Sequence, residues 1–160
     1  MTSLLSLVFQ LLAALAGTIA FALLFSVPRK YYLLCGIIGV IGWAIYLILE
    51  KPAGSTFAIV AATVVVVFCS RLAAVIKKCP AVVFMISGLI PLIPGGGIYW
   101  TTYYLVFGEQ ELAMSTGYGA LKAAVGIVLG IVFIGLVPQR FFQKLGNALA
   151  PSKRKQKRRY

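Results

Sequence analysis

The stretch PAVVFMISGLIPLIPGGGIYWTTYYLVF, residues 80–107, decides the fold of this chain. It carries no charge, and it is longer than the roughly 20 residues of a single straight membrane span. Its centre, PLIPGGG at 91–97, holds two prolines and three consecutive glycines. Proline lacks an N–H and clashes with the preceding helical turn, and glycine adds backbone entropy. The sequence therefore predicts two half-helices, 80–90 and 98–107, with a break near the middle of a bilayer.

The rest of the chain is typical of a membrane protein. Of its 160 residues, 61% are hydrophobic and 11% are charged, whereas about a quarter are charged in soluble domains. A chain in lipid must satisfy its backbone hydrogen bonds internally, so long apolar stretches form helices. Four further stretches qualify, near residues 3–26, 31–49, 54–76 and 117–137. We therefore expect an all-α integral membrane protein with about five transmembrane helices, the fourth broken by a Pro/Gly element.

The distribution of charge predicts how the chain crosses the membrane. The net charge is +12, from 15 basic and three acidic residues. Assigning successive loops to alternate sides places 13 of the 15 basic residues on one side, which predicts an outside N-terminus and a cytoplasmic C-terminus. Residues 1–138 then form the membrane domain, and 139–160 form an amphipathic segment and a basic cytoplasmic tail. We expect that tail to anchor the topology and to attract the lipid bilayer, with no nucleic acid as partner.

The residue types exclude most catalytic sites. There is no His and no Asp, so histidine metal sites, histidine acid/base chemistry and aspartate dyads are absent. The glycine run is not followed by the Lys-Ser/Thr pair of a phosphate-binding loop. Cys35, Cys69 and Cys79 show no metal or redox spacing and indicate free thiols. We expect no enzyme activity, no catalytic residue, no metal site and no cofactor.

The predicted break is the strongest candidate for a functional site. A non-helical backbone within a bilayer is tolerated where it is buried in protein or lines a cavity. The N-terminal end of a half-helix carries a partial positive charge, so its free N–H groups can bind a substrate carboxylate. The alternative is a kink that only packs helices. The candidate substrate-binding residues are Pro91, Pro94, Gly95, Gly96, Gly97, Ile98, Tyr99, Thr101 and Thr102.

A few charged residues are candidates for coupling transport to protons. Lys122 lies within the last span, and an ionisable residue there is a functional candidate, with Glu109 or Glu111 as partners. The alternatives are that Lys122 extends to the outer surface and that the two glutamates belong to a solvated loop. Arg71 is expected to extend towards the inner surface, near Lys77.

Two runs of small residues predict close helix packing. Gly36, Gly39 and Gly42 recur every three residues in the second span, and Gly126 and Gly130 are four residues apart in the last one. Such spacing lets neighbouring helices approach closely in a membrane.

The order of these features resembles a known family. FALLFSVPRK (21–30), CGIIGVIGWAIY (35–46) and above all PAVVFMISGLIPLIPGGGIYWTTY (80–103) look like the small subunit, or C-terminal half, of the threonine/serine exporter family. The resemblance implies a bacterial inner-membrane secondary transporter that exports small carboxylate metabolites, most commonly threonine and serine. It implies that Pro91, Pro94, Gly95 and Gly97 are the matching site positions.

The resemblance also implies a partner, because fused members carry a larger half that this chain lacks. An odd number of spans suits one half of an inverted pair. We therefore expect a separate large membrane subunit, or a homo-oligomer packed through the glycine faces. Two other functions remain open, namely export of small dicarboxylates such as succinate and a structural or pore-forming role in the membrane.

Overall fold

The computed structural model describes the backbone of residues 2–149 and the side chains of residues 4–148. This part of the chain is helical and contains no strand. The predicted basic tail, 151–160, lies outside the described residues. The helices are α1 (Thr2–Leu24), α2 (Tyr32–Ala53), α3 (Ser55–Lys77), α4 (Val82–Leu89), α5 (Gly95–Val106), α6 (Gln110–Gly135) and α7 (Gln139–Leu149). Short 3-10 turns, Arg29–Tyr31 and Ile90–Leu92, precede α2 and follow α4.

Four of these helices, α1, α2, α3 and α6, are long and apolar enough to cross a membrane. A fifth crossing results if α4 and α5 together form one span, with a bend of 51° at the break between them. The prediction of an all-α membrane protein with about five spans, the fourth broken, is confirmed.

The contacts between helix ends show that basic loops share one end of the bundle. The ring of Tyr31, just before α2, packs edge-on against Phe84 of α4 at 5.3 Å between centroids. Arg71, in the last third of α3, donates hydrogen bonds to the carbonyls of Ile134 and Val137 at the end of α6. Because α2 and α3 have similar lengths and are joined by a tight turn at Gly54, the start of α2 and the end of α3 lie at the same end of the bundle. We call this the basic end.

Arg71 differs from its prediction in one respect. Instead of extending to the surface beside Lys77, its guanidinium bonds the carbonyls at the C-terminus of α6 and lies 4.5 Å from the ring centroid of Phe142 in α7. Helix C-termini leave carbonyls without intrahelical partners, and here a single nitrogen of Arg71, Nη1, donates to both carbonyls. Arg71 therefore joins α3, α6 and α7.

The broken segment runs from one end of the bundle to the other. The first half of α6 packs along α5, where Gly97 approaches Ala120. The second half of α6 packs along α3, where Gly130 approaches Thr63. Since α6 ends at the basic end and α5 joins its opposite end at the turn through Gly108, α4 and α5 together traverse the bundle.

The glycine runs are covered within the chain. A Cβ atom at Gly39 would overlap the side chain of Thr18 in α1, and one at Gly42 would overlap Val66 in α3. Gly130 of α6 packs against α3 in the same way. These faces hold the bundle together, so a homo-oligomer would need other surfaces than the glycine faces suggested by the sequence.

Two helices are longer than their predicted spans. The second span was expected to end at residue 49, but α2 continues to Ala53, with Pro52 in its last turn, and stops at Gly54, whose φ is +82°. The last span was expected to begin at 117, but α6 begins at Gln110. Glu111 lies in its first turn, where a carboxylate interacts favourably with the helix dipole. Polar ends extend these helices beyond the apolar stretches.

Candidate functional site

The break between α4 and α5 is shorter than predicted. After the 3-10 turn Ile90–Leu92, Ile93 is extended, Pro94 occupies the N-cap, and α5 begins at Gly95. The glycines at 95–97, expected within the break, instead form the first turn of α5. Glycine disfavours a helix interior by only about 1 kcal/mol per residue, and Gly97 allows α5 to approach α6 closely, since a Cβ there would lie 3.1 Å from that of Ala120.

The first turn of α5 presents two free donors. The N–H of Gly95 donates to the carbonyl of Ile93 at 2.7 Å, and that of Ile98 donates to the carbonyl of Pro94 at 3.0 Å. Within the described chain, the N–H groups of Gly96 and Gly97 have no backbone acceptor. The free N–H groups expected at the start of the half-helix are therefore those of Gly96 and Gly97, at the positive end of the α5 dipole.

These donors adjoin a cavity of about 340 Å³ between the break, α2, α3 and α6. We call it the break cavity. Its size falls within the range of small-molecule sites. Its lining comprises Trp43, Tyr46, Ser55, Ile59, Pro91, Leu92, Ile93, Pro94, Gly95, Gly96, Gly97, Trp100, Thr116, Gly119, Ala120 and Ala123.

Hydroxyl groups from three helices line the break cavity. Tyr46 donates a hydrogen bond to Oε1 of Glu50 at 2.7 Å, and its hydroxyl lies 3.4 Å from that of Ser55. The Thr116 hydroxyl donates to the carbonyl of Leu112 at 2.7 Å and lies 3.1 Å from the Thr101 hydroxyl, and its oxygen has a second lone pair that can accept. Within the described part of the chain, no Lys or Arg lines this cavity. The polar groups are therefore neutral, with one carboxylate reached through Tyr46.

Aromatic rings supply much of the remaining wall. Trp43 stacks on Tyr46 with 5.1 Å between ring centroids. Trp100 contributes a second indole from α5. Aromatic faces attract ammonium groups through their quadrupole, most strongly in the case of Trp. The cavity thus combines donors for an anion with surfaces suited to a cation.

A family model described as threonine/serine exporter, ThrE, matches residues 10–137. The chain belongs to the threonine/serine exporter ThrE family. Comparison with curated proteins and comparison with solved structures returned no match. The resemblance to this family noted in the sequence is confirmed, and membership of an exporter family indicates a transporter of the threonine/serine type. The break motif on which the resemblance mainly rested is the same element that lines the break cavity.

The predicted site residues of this ThrE-family chain divide into two groups. Pro91, Pro94 and the three glycines line the break cavity. Ile98, Thr101 and Thr102 line an adjoining, largely apolar groove of about 490 Å³ between α5 and α6, which shares Ile93, Pro94 and Ala120 with the break cavity. The Thr101 and Thr102 hydroxyls donate to the carbonyls of Gly97 and Ile98, at 2.6 and 3.0 Å. Tyr99 lines neither space and is 62% exposed.

The structure does not bring the three candidate coupling residues together. Glu109 precedes α6 and Glu111 lies in its first turn, whereas Lys122 lies three turns further along, about 16 Å up the axis from Glu111. The Lys122 ammonium lies over the ring of Tyr118 at 4.3 Å, on the exposed side of α6. None of the three lines the break cavity.

Sequence reasoning missed the residues that other helices contribute. Trp43, Tyr46, Ser55, Trp100 and Thr116 were not among the predicted site residues, although all of them line the break cavity. One signal could have identified Tyr46. It lies one turn beyond Gly42 on the same helix face, and Gly42 packs near Leu92 at the break.

Proposed function

We propose that this chain is a subunit of a bacterial inner-membrane secondary transporter that exports small hydroxy-amino acids, threonine or serine, and that the break cavity binds them. The observation that carries the proposal is the pairing of two free N–H groups, at Gly96 and Gly97, with a small cavity rich in hydroxyls and aromatic rings. Family membership supports the substrate type.

The first turn of α5 is proposed to hold the substrate carboxylate. Its two N–H donors point from the positive end of a twelve-residue helix, and such ends bind anions without a charged side chain. Gly95 and Gly96 have open space where a Cβ would stand. The backbone can therefore approach a ligand at this turn, which a side chain would prevent.

The opposite wall is proposed to hold the amino and hydroxyl groups. The ammonium would lie against the faces of Trp43 and Trp100, while the hydroxyls of Tyr46 and Ser55 would pair with the substrate hydroxyl. A dicarboxylate such as succinate remains the second candidate. It would bring a second negative charge into a cavity that has no Lys or Arg in its lining, so this composition favours an amino acid.

Proton coupling is proposed to act through Glu50. This carboxylate is linked to the break cavity by its 2.7 Å hydrogen bond with Tyr46, whereas Glu109, Glu111 and Lys122 stand away from the cavity. Glu50 lies near the end of α2, opposite the basic end. In the orientation proposed below, protons from outside the cell would reach it directly.

The proposed orientation has the N-terminus outside and the basic end in the cytoplasm, as the positive-inside rule predicts. A large membrane subunit is the proposed partner. The exposure of α5 supports such a partner. None of the described residues of α5 is buried, and α6 is the one helix with which it packs extensively in the described structure. A partner that covers α5 would close the break cavity and complete a transport path.

Transport in cells would test this function. Efflux of labelled threonine and serine should saturate with internal substrate and fall when an uncoupler is added, and it should require a co-expressed large-half homologue. Saturation separates a carrier from the pore alternative, in which flux rises in proportion to concentration. Efflux of succinate in preference to threonine would favour the dicarboxylate alternative, and absence of efflux with the partner would contradict the transporter.

A further inference from the structure

A second cavity, of about 780 Å³, lies at the basic end and shares no residue with the break cavity. It is bounded by the end of α3, the start of α4 and the first turns of α7. We call it the end cavity. Unlike the break cavity it contains cationic side chains, and none of the described residues that line it is a carboxylate.

Two side chains supply the positive charge of the end cavity. One is Arg71 of α3, and the other is Lys78, the C-cap of the same helix. Arg71 is half-buried, and its described hydrogen bonds to Ile134 and Val137 use only Nη1, so the Nε and Nη2 donors are not engaged by them. Lys78 lines the same space at the C-cap. Gln139, Gln143 and Asn147 of α7 add neutral amide donors.

Two helix starts reinforce this potential. Ala81 is the N-cap of α4 and offers no capping side chain, and Gln139 is the first residue of α7. Both residues line the cavity. Helix N-termini carry partial positive charge. The α6 carbonyls near the cavity, which would oppose it, already accept hydrogen bonds from Arg71.

The surroundings place this cavity at a membrane surface. The α7 helix follows a transmembrane helix and carries Arg140 and Lys144 together with the exposed ring of Phe141. A helix with this pattern lies in the headgroup layer. Ile76, just before the end of α3, is also exposed. Acyl chains could therefore pack beside a headgroup that occupies the cavity.

We propose that the end cavity binds the phosphate group of an anionic phospholipid headgroup, with Arg71 and Lys78 as its cationic ligands. Basic cavities between membrane helices are suited to such headgroups, and charged hydrogen bonds to phosphate are strong. The site is separate from the proposed transport site and does not rest on it. It would also fix α7, which packs on α3 through Gly146, against the bundle.

The test compares two adjacent lysines. The delipidated full chain in a neutral detergent is titrated with phosphatidylglycerol, with phosphatidylcholine and with inorganic phosphate, and bound ligand is counted by native mass spectrometry. Wild type should retain about one phosphatidylglycerol in preference to phosphatidylcholine. Lys78→Gln should weaken this binding about tenfold, whereas Lys77→Gln, which removes the same charge outside the cavity, should change it less than twofold.

A second variant, Gln143→Glu, places a carboxylate in the cavity from exposed α7 and should weaken binding at least as much as Lys78→Gln. Helical circular dichroism and the elution volume check that each variant is folded. Equal losses from Lys77→Gln and Lys78→Gln would overturn the proposal, because a diffuse surface charge would explain both. Inorganic phosphate that binds as tightly as the lipid and displaces it would overturn the lipid as the ligand.

Discussion

The hydroxyl of Tyr46 donates a 2.7 Å hydrogen bond to Oε1 of Glu50, one turn further along α2. Tyr46 lines the break cavity, and Glu50 lies near the C-terminal end of the same helix, opposite the basic end. This pair connects the proposed substrate site to the only carboxylate near it in the described structure. It is also a link between positions that no local sequence motif identified.

Tyr46→Phe removes the hydroxyl and keeps the ring against Trp43. One net hydrogen bond contributes about 0.5–1.5 kcal/mol, so we expect the half-saturating threonine concentration for efflux to rise about 2- to 10-fold. Tyr99→Phe, outside the cavity, is the matched control and should leave it unchanged. If both variants changed the half-saturating concentration equally, the proposed contact between Tyr46 and the substrate would be contradicted.

Glu50→Gln tests the proposed route of proton coupling. The amide cannot titrate, so efflux should become insensitive to external pH and to uncouplers if Glu50 carries the proton. The groups near Glu50 are Tyr46, Ser55 and its neighbour Lys51, none of which replaces a carboxylate. Lys122→Met is the comparison, and we expect it to keep the wild-type pH dependence. A pH profile altered by Lys122→Met and retained in Glu50→Gln would assign coupling to Lys122 instead.

The sequence predicted more of the fold than of the site. Long apolar stretches identify helices whatever they pack against, since lipid leaves the backbone no other way to satisfy its hydrogen bonds. The break at 91–97 was located for the same kind of reason, because Pro91 and Pro94 act locally. The helical state of the three glycines depends on packing between Gly97 and Ala120, which composition does not reveal.

The missing part of the site is a tertiary property. Trp43 and Ser55 reach the break cavity only because α2 and α3 pack beside the break. Their spacing along the chain contains no information about that contact. Thr101 and Thr102 show the converse. They follow the break closely in sequence, yet the turn of α5 directs them to the adjoining groove, and their hydroxyls donate to carbonyls of their own helix.

Gly39→Ala tests the packing of α1 on α2. Its new methyl group would overlap Thr18, and overpacking of this kind costs about 1–3 kcal/mol. We expect a lower thermal midpoint in detergent. Gly17→Ala is the control in α1, where nothing lies within 4 Å of the added Cβ, and it should be neutral or slightly stabilising. An unchanged midpoint for Gly39→Ala would contradict this helix contact.

Thr63→Val tests a buried hydroxyl between α3 and α6. Thr63 is fully buried, and its Oγ1 has no hydrogen-bond partner within the described residues. Removing an unsatisfied polar group at constant shape should leave stability unchanged or raise it by about 1 kcal/mol. Thr18→Val, which removes a 2.7 Å bond to the carbonyl of Ala14, should be the less favourable substitution. A clear loss of stability in Thr63→Val alone would show that its hydroxyl has a partner.

The most direct test of the break cavity is efflux of labelled threonine from cells that express Gly95→Leu with a large-half homologue. The new side chain has open space at Gly95, so the protein should insert and accumulate normally while the cavity is filled. Gly135→Leu, also in open space but outside the cavity, is the control. We expect Gly95→Leu to abolish threonine efflux and Gly135→Leu to retain it. Wild-type efflux in Gly95→Leu at normal protein levels would contradict a substrate site at the helix break.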